Sequence, residues 1–377
     1  MEMNSLTRLL READETPANP AVKNWKSQGK KVIGWLCTYT PEEIIYAAGM
    51  LPIRIHGNPQ RISLGDAYLQ PNTCPYARSC LGSALETEYD FLDGIVATHT
   101  CDAICRLYDL WKLYIPIPFF YIMDHPHKSS PSGHKYHLQQ LEKFKQALEL
   151  FGGNGINDAA LGWAFQVYQE NRILLRRLYE LRKRETPPIT ASEVLKVIKA
   201  GTVMPKEEHN RLLREALAEL EAREVAPEKR LRLVVSGSMM NETDLLELID
   251  ACGAMVVSDD LCIGTRYFWS EAELDSNPLL NISRFYLEKV PCACIHPPEA
   301  RLEHLINMVK GFNAQGVILY SLIFCDTFAY DFVLFKKRLE EAQIPVLLLT
   351  LEHPSLGIEQ ARTRIEAFLE MIAHKVS

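Results

Sequence analysis

No run of apolar residues in this chain approaches the ~20 that a membrane-spanning helix requires, so no membrane role is expected. No stretch matches G-x-x-x-x-G-K-[ST], the loop that cradles nucleotide phosphates, and ATP hydrolysis is expected to occur elsewhere. Excess positive charge is missing as well: the net charge is −7, which gives no support to nucleic-acid binding. Residues Met1 to Glu15 mix acids and bases and lack the apolar core of a secretion signal, so a cytoplasmic location is expected. The compact C-x2-C pairs of ferredoxins and zinc ribbons are absent too, and no internal repeat is visible.

What is present is a chain of 377 residues, too long for one ordinary core, so two α/β domains are the default. Residues 1–30 are polar and helix-prone and are interrupted by Pro17 and Pro20, an N-terminal helical arm. A first α/β domain is expected over 31–134. Its strands are expected at 31–37, 51–55, 94–98 and 118–122, with a short helix capped by Thr40 and ended by Gly49. A longer helix follows at 101–113. Residues 135–228 are charged and periodic, with Leu138, Leu141, Phe144, Ala147 and Leu148 on one helix face, a helical bridging region. A second α/β domain is expected over 229–377, with strands at 231–236, 254–258, 316–320 and 346–349. Strand–helix alternation argues parallel sheets. The expected fold class is therefore α/β, two Rossmann-like parallel-sheet domains joined by a helical segment.

Ten cysteines need an account. In a reducing compartment they are not expected to form structural disulfides, and those in polar, turn-like sequence are candidates for metal or redox chemistry. Cys74 follows a Pro/Asn turn and enters a helix through Pro75. Cys101 follows the strand at 94–98 and Cys325 the strand at 316–320, each in a Cys-Asp step that opens a helix. A helix N-terminus favours the thiolate, the form that binds iron, and open parallel sheets hold ligands at the carboxyl ends of their strands. Two of these thiols come from the first domain and one from the second, so a cluster held by them would fill the cleft between. Residue types and spacing alone leave packing and ligation both open.

Several segments then fall into a known order. They are Gly34 to Pro52 (Gly-Trp-Leu-Cys-Thr-Tyr-Thr-Pro-Glu-Glu-Ile-Ile-Tyr-Ala-Ala-Gly-Met-Leu-Pro), Cys74-Pro75 with Ser79 and Gly82, and Thr100-Cys101-Asp102. Residues 253–266, with Asp259, Asp260, Cys262 and Gly264, follow, then Phe324-Cys325-Asp326 and the stretch Thr363 to Phe368. Along nearly its whole length the chain resembles the benzoyl-CoA reductase/2-hydroxyglutaryl-CoA dehydratase D-component family, within the 2-hydroxyacyl-CoA dehydratase superfamily. The resemblance implies a [4Fe-4S] cluster on Cys74, Cys101 and Cys325 and an acyl-CoA substrate. It also implies a related partner subunit, in a hetero- or homodimer, and a separate ATP-hydrolysing iron–sulfur activator. Thr327 stands where the family pattern has proline. Cys80 and Cys105 lie near the proposed ligands, and for them packing and a share in a double-cubane iron–sulfur cluster are both open. Cys37, Cys252, Cys262, Cys292 and Cys294 are read mainly as core residues or residues behind the ligands, Cys262 being the least settled.

Three protein thiolates on a cubane leave one iron open, and burial of an anionic cluster makes a further electron costly, which suits ATP-driven electron delivery. A thioester carbonyl that takes one electron becomes a ketyl radical anion. The expected function is the iron–sulfur subunit of an ATP-activated, low-potential acyl-CoA enzyme, with benzoyl-CoA-reductase-type reduction of an aromatic acyl-CoA as the leading reaction. His99-Thr-Cys-Asp-Ala-Ile-Cys-Arg-Leu-Tyr-Asp109 resembles that branch slightly better. An (R)-2-hydroxyacyl-CoA dehydratase subunit (a lyase) and a non-catalytic electron-transfer subunit are the alternatives. Thr38 is a candidate to hydrogen-bond a thioester oxygen or an iron-bound ligand, and His56 to transfer a proton, since imidazole titrates near neutrality; structural roles for both stay open. Glu42 and Glu43 either serve the same place or favour a helix N-terminus. His125, His127 and His134 flank Pro/Ser/Gly-rich sequence and are expected in a surface loop.

Overall fold

Strand β1 (Val32–Leu36) reads Val-Ile-Gly-Trp-Leu, and all its residues are buried. A strand apolar on both faces belongs inside a parallel sheet covered on both sides. A computed structural model, which describes residues 3–272, 276–352 and 358–376, places it there. With β2 (Leu51–Arg54), β3 (Gly94–His99) and β4 (Phe119–Asp124) it forms an all-parallel sheet in the order β2-β1-β3-β4. The second sheet repeats the plan with β5 (Leu231–Gly237), β6 (Ala254–Asp260), β7 (Gly316–Leu322) and β8 (Val346–Leu351), in the order β6-β5-β7-β8. The fold is the expected pair of Rossmann-like sheets. In each, the chain adds its second strand on one side of the first and its third on the other. The reversals lie between β1 and β3 and between β5 and β7, and at such a point the loops part and leave a crevice beyond the carboxyl ends.

One helix ties the two sheets together. Asp158–Leu181, capped by Asn157, is 24 residues long. Its first half places Leu161 and Phe165 in the core on one face of the first sheet and Ala164 and Tyr168 in the core on the other. Its second half places Leu174, Leu175, Leu178 and Tyr179 in the core of the second sheet. The N-terminal helix Ser5–Asp14 packs into that second core, with Leu6 and Leu9 beside residues of the helices Ala191–Gly201 and Lys206–Ala222. Among the described residues no helix is long and apolar enough to cross a membrane.

The same long helix carries a buried charged network. Arg172 forms an ion pair with Glu43, and Tyr286 donates its hydroxyl to Glu43 Oε2 at 2.9 Å. Tyr267 donates to Glu42 Oε1 at 2.7 Å and accepts from Lys206 Nζ at 3.0 Å. Neither reading of the two glutamates suffices: they open the helix Glu42–Ala47, but buried in the core they tie it to the bridging helices. Removing one partner of such a pair costs about 3–5 kcal/mol, because the other charge stays buried. Thr40 is not the cap expected of it. The helix starts later, Pro41 takes the cap position, and Thr40 Oγ1 bonds to Leu36 O and to Thr98 Oγ1, both at 2.9 Å. His125 is also corrected: its ring is buried between Tyr39 and His137, with centroids 4.3 and 4.9 Å away.

Two further histidines set an acid limit on this core. His209 donates from Nε2 to Val197 O (2.9 Å) and accepts at Nδ1 from Asn171 Nδ2 (2.7 Å), a pattern only the neutral ring can make. Burial holds its pKa down to about 3, and that of His137 down to about 4. Unfolded histidine titrates near 6.5. Below about pH 6.5 the unfolded chain therefore takes up protons that the folded chain refuses, and stability falls as pH falls toward 4. Urea midpoints measured from pH 7.5 to 4.5 are expected to drop along this window. The drop is expected to be shallower in His209→Gln, whatever that variant loses at neutral pH; an unchanged slope would contradict the assignment.

A cysteine-lined cavity as the candidate functional site

The two crevices face one another across a cavity of about 410 Å³. Cys37 and Thr38 reach it just beyond β1, Thr100 and Cys101 just beyond β3, Ser238 and Met239 just beyond β5, and Phe324 and Cys325 just beyond β7. Arg54, the last residue of β2, and Cys262, just past β6, complete the strand-end contribution. The backbone is strained at this edge: Cys37 and Phe324 hold φ of 75° and 60°, a left-handed conformation that costs a non-glycine residue about 1–3 kcal/mol. Gly237 closes β5 where nothing larger fits, since a Cβ there would lie 2.0 Å from Tyr320 O.

Cys74, Cys101 and Cys325 all line this cavity, and each occupies the cap position of a helix: Pro75–Leu85, Asp102–Tyr114 and Asp326–Glu341. None of the three sulfurs closes a full cap hydrogen bond. Even so, the N–H groups of Tyr76, Ile104 and Phe328 each pull the neighbouring thiol toward its charged form. Burial works the other way and dominates at Cys101, whose pKa is pushed up. Cys74 and Cys325 act on one another, Cys74 being raised and Cys325 lowered. Thr327, the departure from the family pattern, sets its hydroxyl 3.7 Å from Cys325 Sγ. Among the described residues, no three His, Cys, Asp or Glu side chains are drawn together closely enough to hold one metal ion.

Four more cysteines line the cavity, among those the sequence reading placed in the core or behind the ligands. Cys37 Sγ accepts from Thr100 Oγ1 at 3.2 Å, and Cys262 Sγ accepts from Arg54 at 3.3 Å. The neighbouring Cys294 thiol, helped by the charges of Arg266 and Arg301, holds Cys292 well below the ordinary thiol range. Cys80 and Cys105 behave oppositely. Both are buried and neither lines the cavity, and burial pushes Cys80 up to about 12.

Thr38 also lines the cavity, held by a residue that sequence reasoning missed. Lys289, fully enclosed, donates from Nζ to Thr38 O (2.6 Å) and Thr38 Oγ1 (3.0 Å), and its charge lies over the Tyr39 ring. Burial pulls its pKa down to about 8. Arg54 belongs to the same polar segment of the sequence as Thr38 and His56, where it is given no role of its own, and it too lines the cavity. His56 is not part of this cavity. It lines a second one, of about 870 Å³, beside Lys199 and Glu242. There Nε2 pairs with Thr202 Oγ1 at 3.1 Å, and burial keeps the ring neutral by holding its pKa well down.

Residues 37–372, from the first cavity cysteine to beyond the last, match the family model described as 2-hydroxyglutaryl-CoA dehydratase, D-component. The chain belongs to that family. It is similar to the (R)-phenyllactyl-CoA dehydratase beta subunit of Clostridium sporogenes, at 29% identity over 95% of this chain and 96% of the relative. A benzoyl-CoA reductase subunit of Thauera aromatica is 30% identical over 93% and 94%. The (R)-2-hydroxyglutaryl-CoA dehydratase, subunit beta, of Acidaminococcus fermentans is 28% identical over 98% and 100%. Each relative is named as one subunit of an acyl-CoA enzyme, and the names divide between reductase and dehydratase.

In this D-component chain the bonds from Lys289 are what fix the Thr38 segment, and hydrogen bonds to charged groups contribute about 1.5–3 kcal/mol. Lys289→Met is expected to lower stability by that order and to speed amide hydrogen exchange at residues 37–40 by tenfold or more. Unchanged exchange there would show that the lysine does not hold the segment.

Proposed function

We propose that this chain is the cytoplasmic iron–sulfur subunit of a low-potential acyl-CoA enzyme, paired with a related subunit and fed single electrons by a separate ATP-hydrolysing activator. The observation that supports the reading is the convergence of Cys74, Cys101 and Cys325, each at a helix N-terminus, on one cavity. Three thiols, each receiving backbone N–H groups at a helix start, form a donor set suited to iron and sulfide. A [4Fe-4S] cluster held there would supply single electrons at low potential and keep one iron free of protein sulfur.

The remaining roles belong to the chain's own residues. Lys289 occupies the acceptor side of Thr38 Oγ1, which leaves the Thr38 hydroxyl hydrogen free to donate into the cavity, to a thioester oxygen in this reading. Ile104, Met239, Phe324 and Phe328 give the cavity apolar walls that displace water from a bound acyl group. His56 has no step here.

The leading reaction is reduction of an aromatic acyl-CoA of the benzoyl-CoA reductase type, supported by the likeness to the Thauera reductase chain and by the segment from His99 to Asp109. The second reading, dehydration of an (R)-2-hydroxyacyl-CoA, draws support from the two dehydratase beta subunits. Electron counting separates them. With partner and activator present, a reductase is expected to consume electrons in proportion to product, whereas a dehydratase turns over many times per electron. Cys74→Ala, Cys101→Ala and Cys325→Ala are each expected to lose iron and at least a hundredfold of activity. Full iron content and activity in all three would end the proposal.

A further inference from the structure

A lysine side chain is normally left in water, where its ammonium keeps its proton to about pH 10. Lys289, which ends the helix Pro278–Glu288, is only 4% exposed. Its Nζ donates to Thr38 O and Thr38 Oγ1 and lies 4.8 and 5.2 Å from the ring centres of Tyr39 and Tyr286. Among the described residues no carboxylate bonds to it, whereas the equally buried Lys206 lies 4.0 Å from Glu42. A neutral amide could make the same two bonds without the cost of burying an ammonium. Positioning alone therefore does not account for a lysine here.

The groups that face Lys289 are set against exchanging protons near neutral pH. Cys37, Cys292, Glu43 and Arg172 lie within its electrostatic reach, and His125 lies against Tyr39. Burial raises the Cys37 thiol and the Tyr39 and Tyr286 phenols, and it holds the His125 ring neutral. Cys292 is held well below the ordinary thiol range, and Glu43 is paired with Arg172. Lys289 differs from all of them, because burial brings its ammonium down to about 8. It is also in direct contact with a hydroxyl that lines the cavity.

We infer that Lys289 supplies the proton for the acyl-group reaction and delivers it through Thr38: Lys289 Nζ passes a proton to Thr38 Oγ1 as the Thr38 hydroxyl hydrogen passes to a thioester oxygen that has gained one electron. One N–H and one O–H bond break and two O–H bonds form. No electron moves in the transfer; the one already on the substrate comes from the activator of the function proposed above, on which this inference rests. Lys289 is left neutral and the substrate oxygen becomes a hydroxyl. Two buried charges of opposite sign vanish together, in a place where burial opposes both. Lys289 recovers its proton along the same path, from water that enters once product has left.

Arginine at position 289 keeps the charge and the donors but does not release a proton in any working range. Assembled with partner and activator, K289R is expected to lose tenfold or more in kcat, with KM within threefold and amide exchange at residues 37–40 unchanged. Wild-type turnover is expected to fall above about pH 8, as Lys289 loses its charge, and K289R to lack that decline. Should K289R not fold, Thr38→Val is expected to lose as much kcat while Thr38→Ser keeps it. Independently of turnover, carbon-13 NMR of the full chain labelled in lysine is expected to show one side-chain signal titrating near pH 8. Wild-type kcat in K289R or in Thr38→Val, or no lysine titrating below pH 10, would overturn the relay and leave the proposed function standing. A wild-type assembly that turns over no acyl-CoA would overturn both.

Discussion

A parallel sheet that reverses the direction in which it adds strands must part its loops at the reversal, and here two such partings confront each other. A helix with ends in different cores, Asp158–Leu181, spans both sheets, and bonds such as Tyr267–Glu42 and Asn241–Gly57 join them further. The buried Glu43–Arg172 pair and the tyrosines around it pin that helix to the first sheet, where losing either charge strands the other. The cavity's shape thus follows from packing well behind it.

Electrostatics give the cavity a direction. Three helices begin at one wall and turn their N–H groups toward sulfur, a field that favours anions. Cationic side chains gather behind the other, with Arg54 and Lys289 the two that no carboxylate neutralises at hydrogen-bond distance among the described residues. The surrounding burial opposes every one of these charges, which is why Cys74 and Cys101 rise although their helices favour the thiolate. Such a place resists taking further negative charge unless it is driven.

Much of this was legible beforehand for identifiable reasons. All eight strands lay where short apolar runs meet turn residues, and their alternation with helices implied the parallel sheets. Cys101 and Cys325 announced themselves by Cys-Asp at strand ends, Cys74 by the proline after it. Other features were hidden because they are tertiary. Cys292 and Cys294 follow a helix rather than a strand, and they reach the cavity because Tyr39 Oη accepts from the Cys292 N–H at 2.9 Å and His127 Nδ1 bonds to Cys294 O at 2.7 Å. His56 follows Arg54 by two residues in the chain, but β2 ends at Arg54 and the next turn carries His56 to Thr202. His125 sits among prolines and serines that imply a loop, and its burial comes from Tyr39 and His137, which the local sequence does not show.

Everything functional here depends on sulfur from both sheets meeting at one metal body. Diffraction from crystals grown without oxygen, recorded on both sides of the iron absorption edge, tests this most directly. The expected result is anomalous density in the cavity bonded at once to Cys74, Cys101 and Cys325. Iron found on thiols of one sheet alone, or outside the cavity, would contradict it.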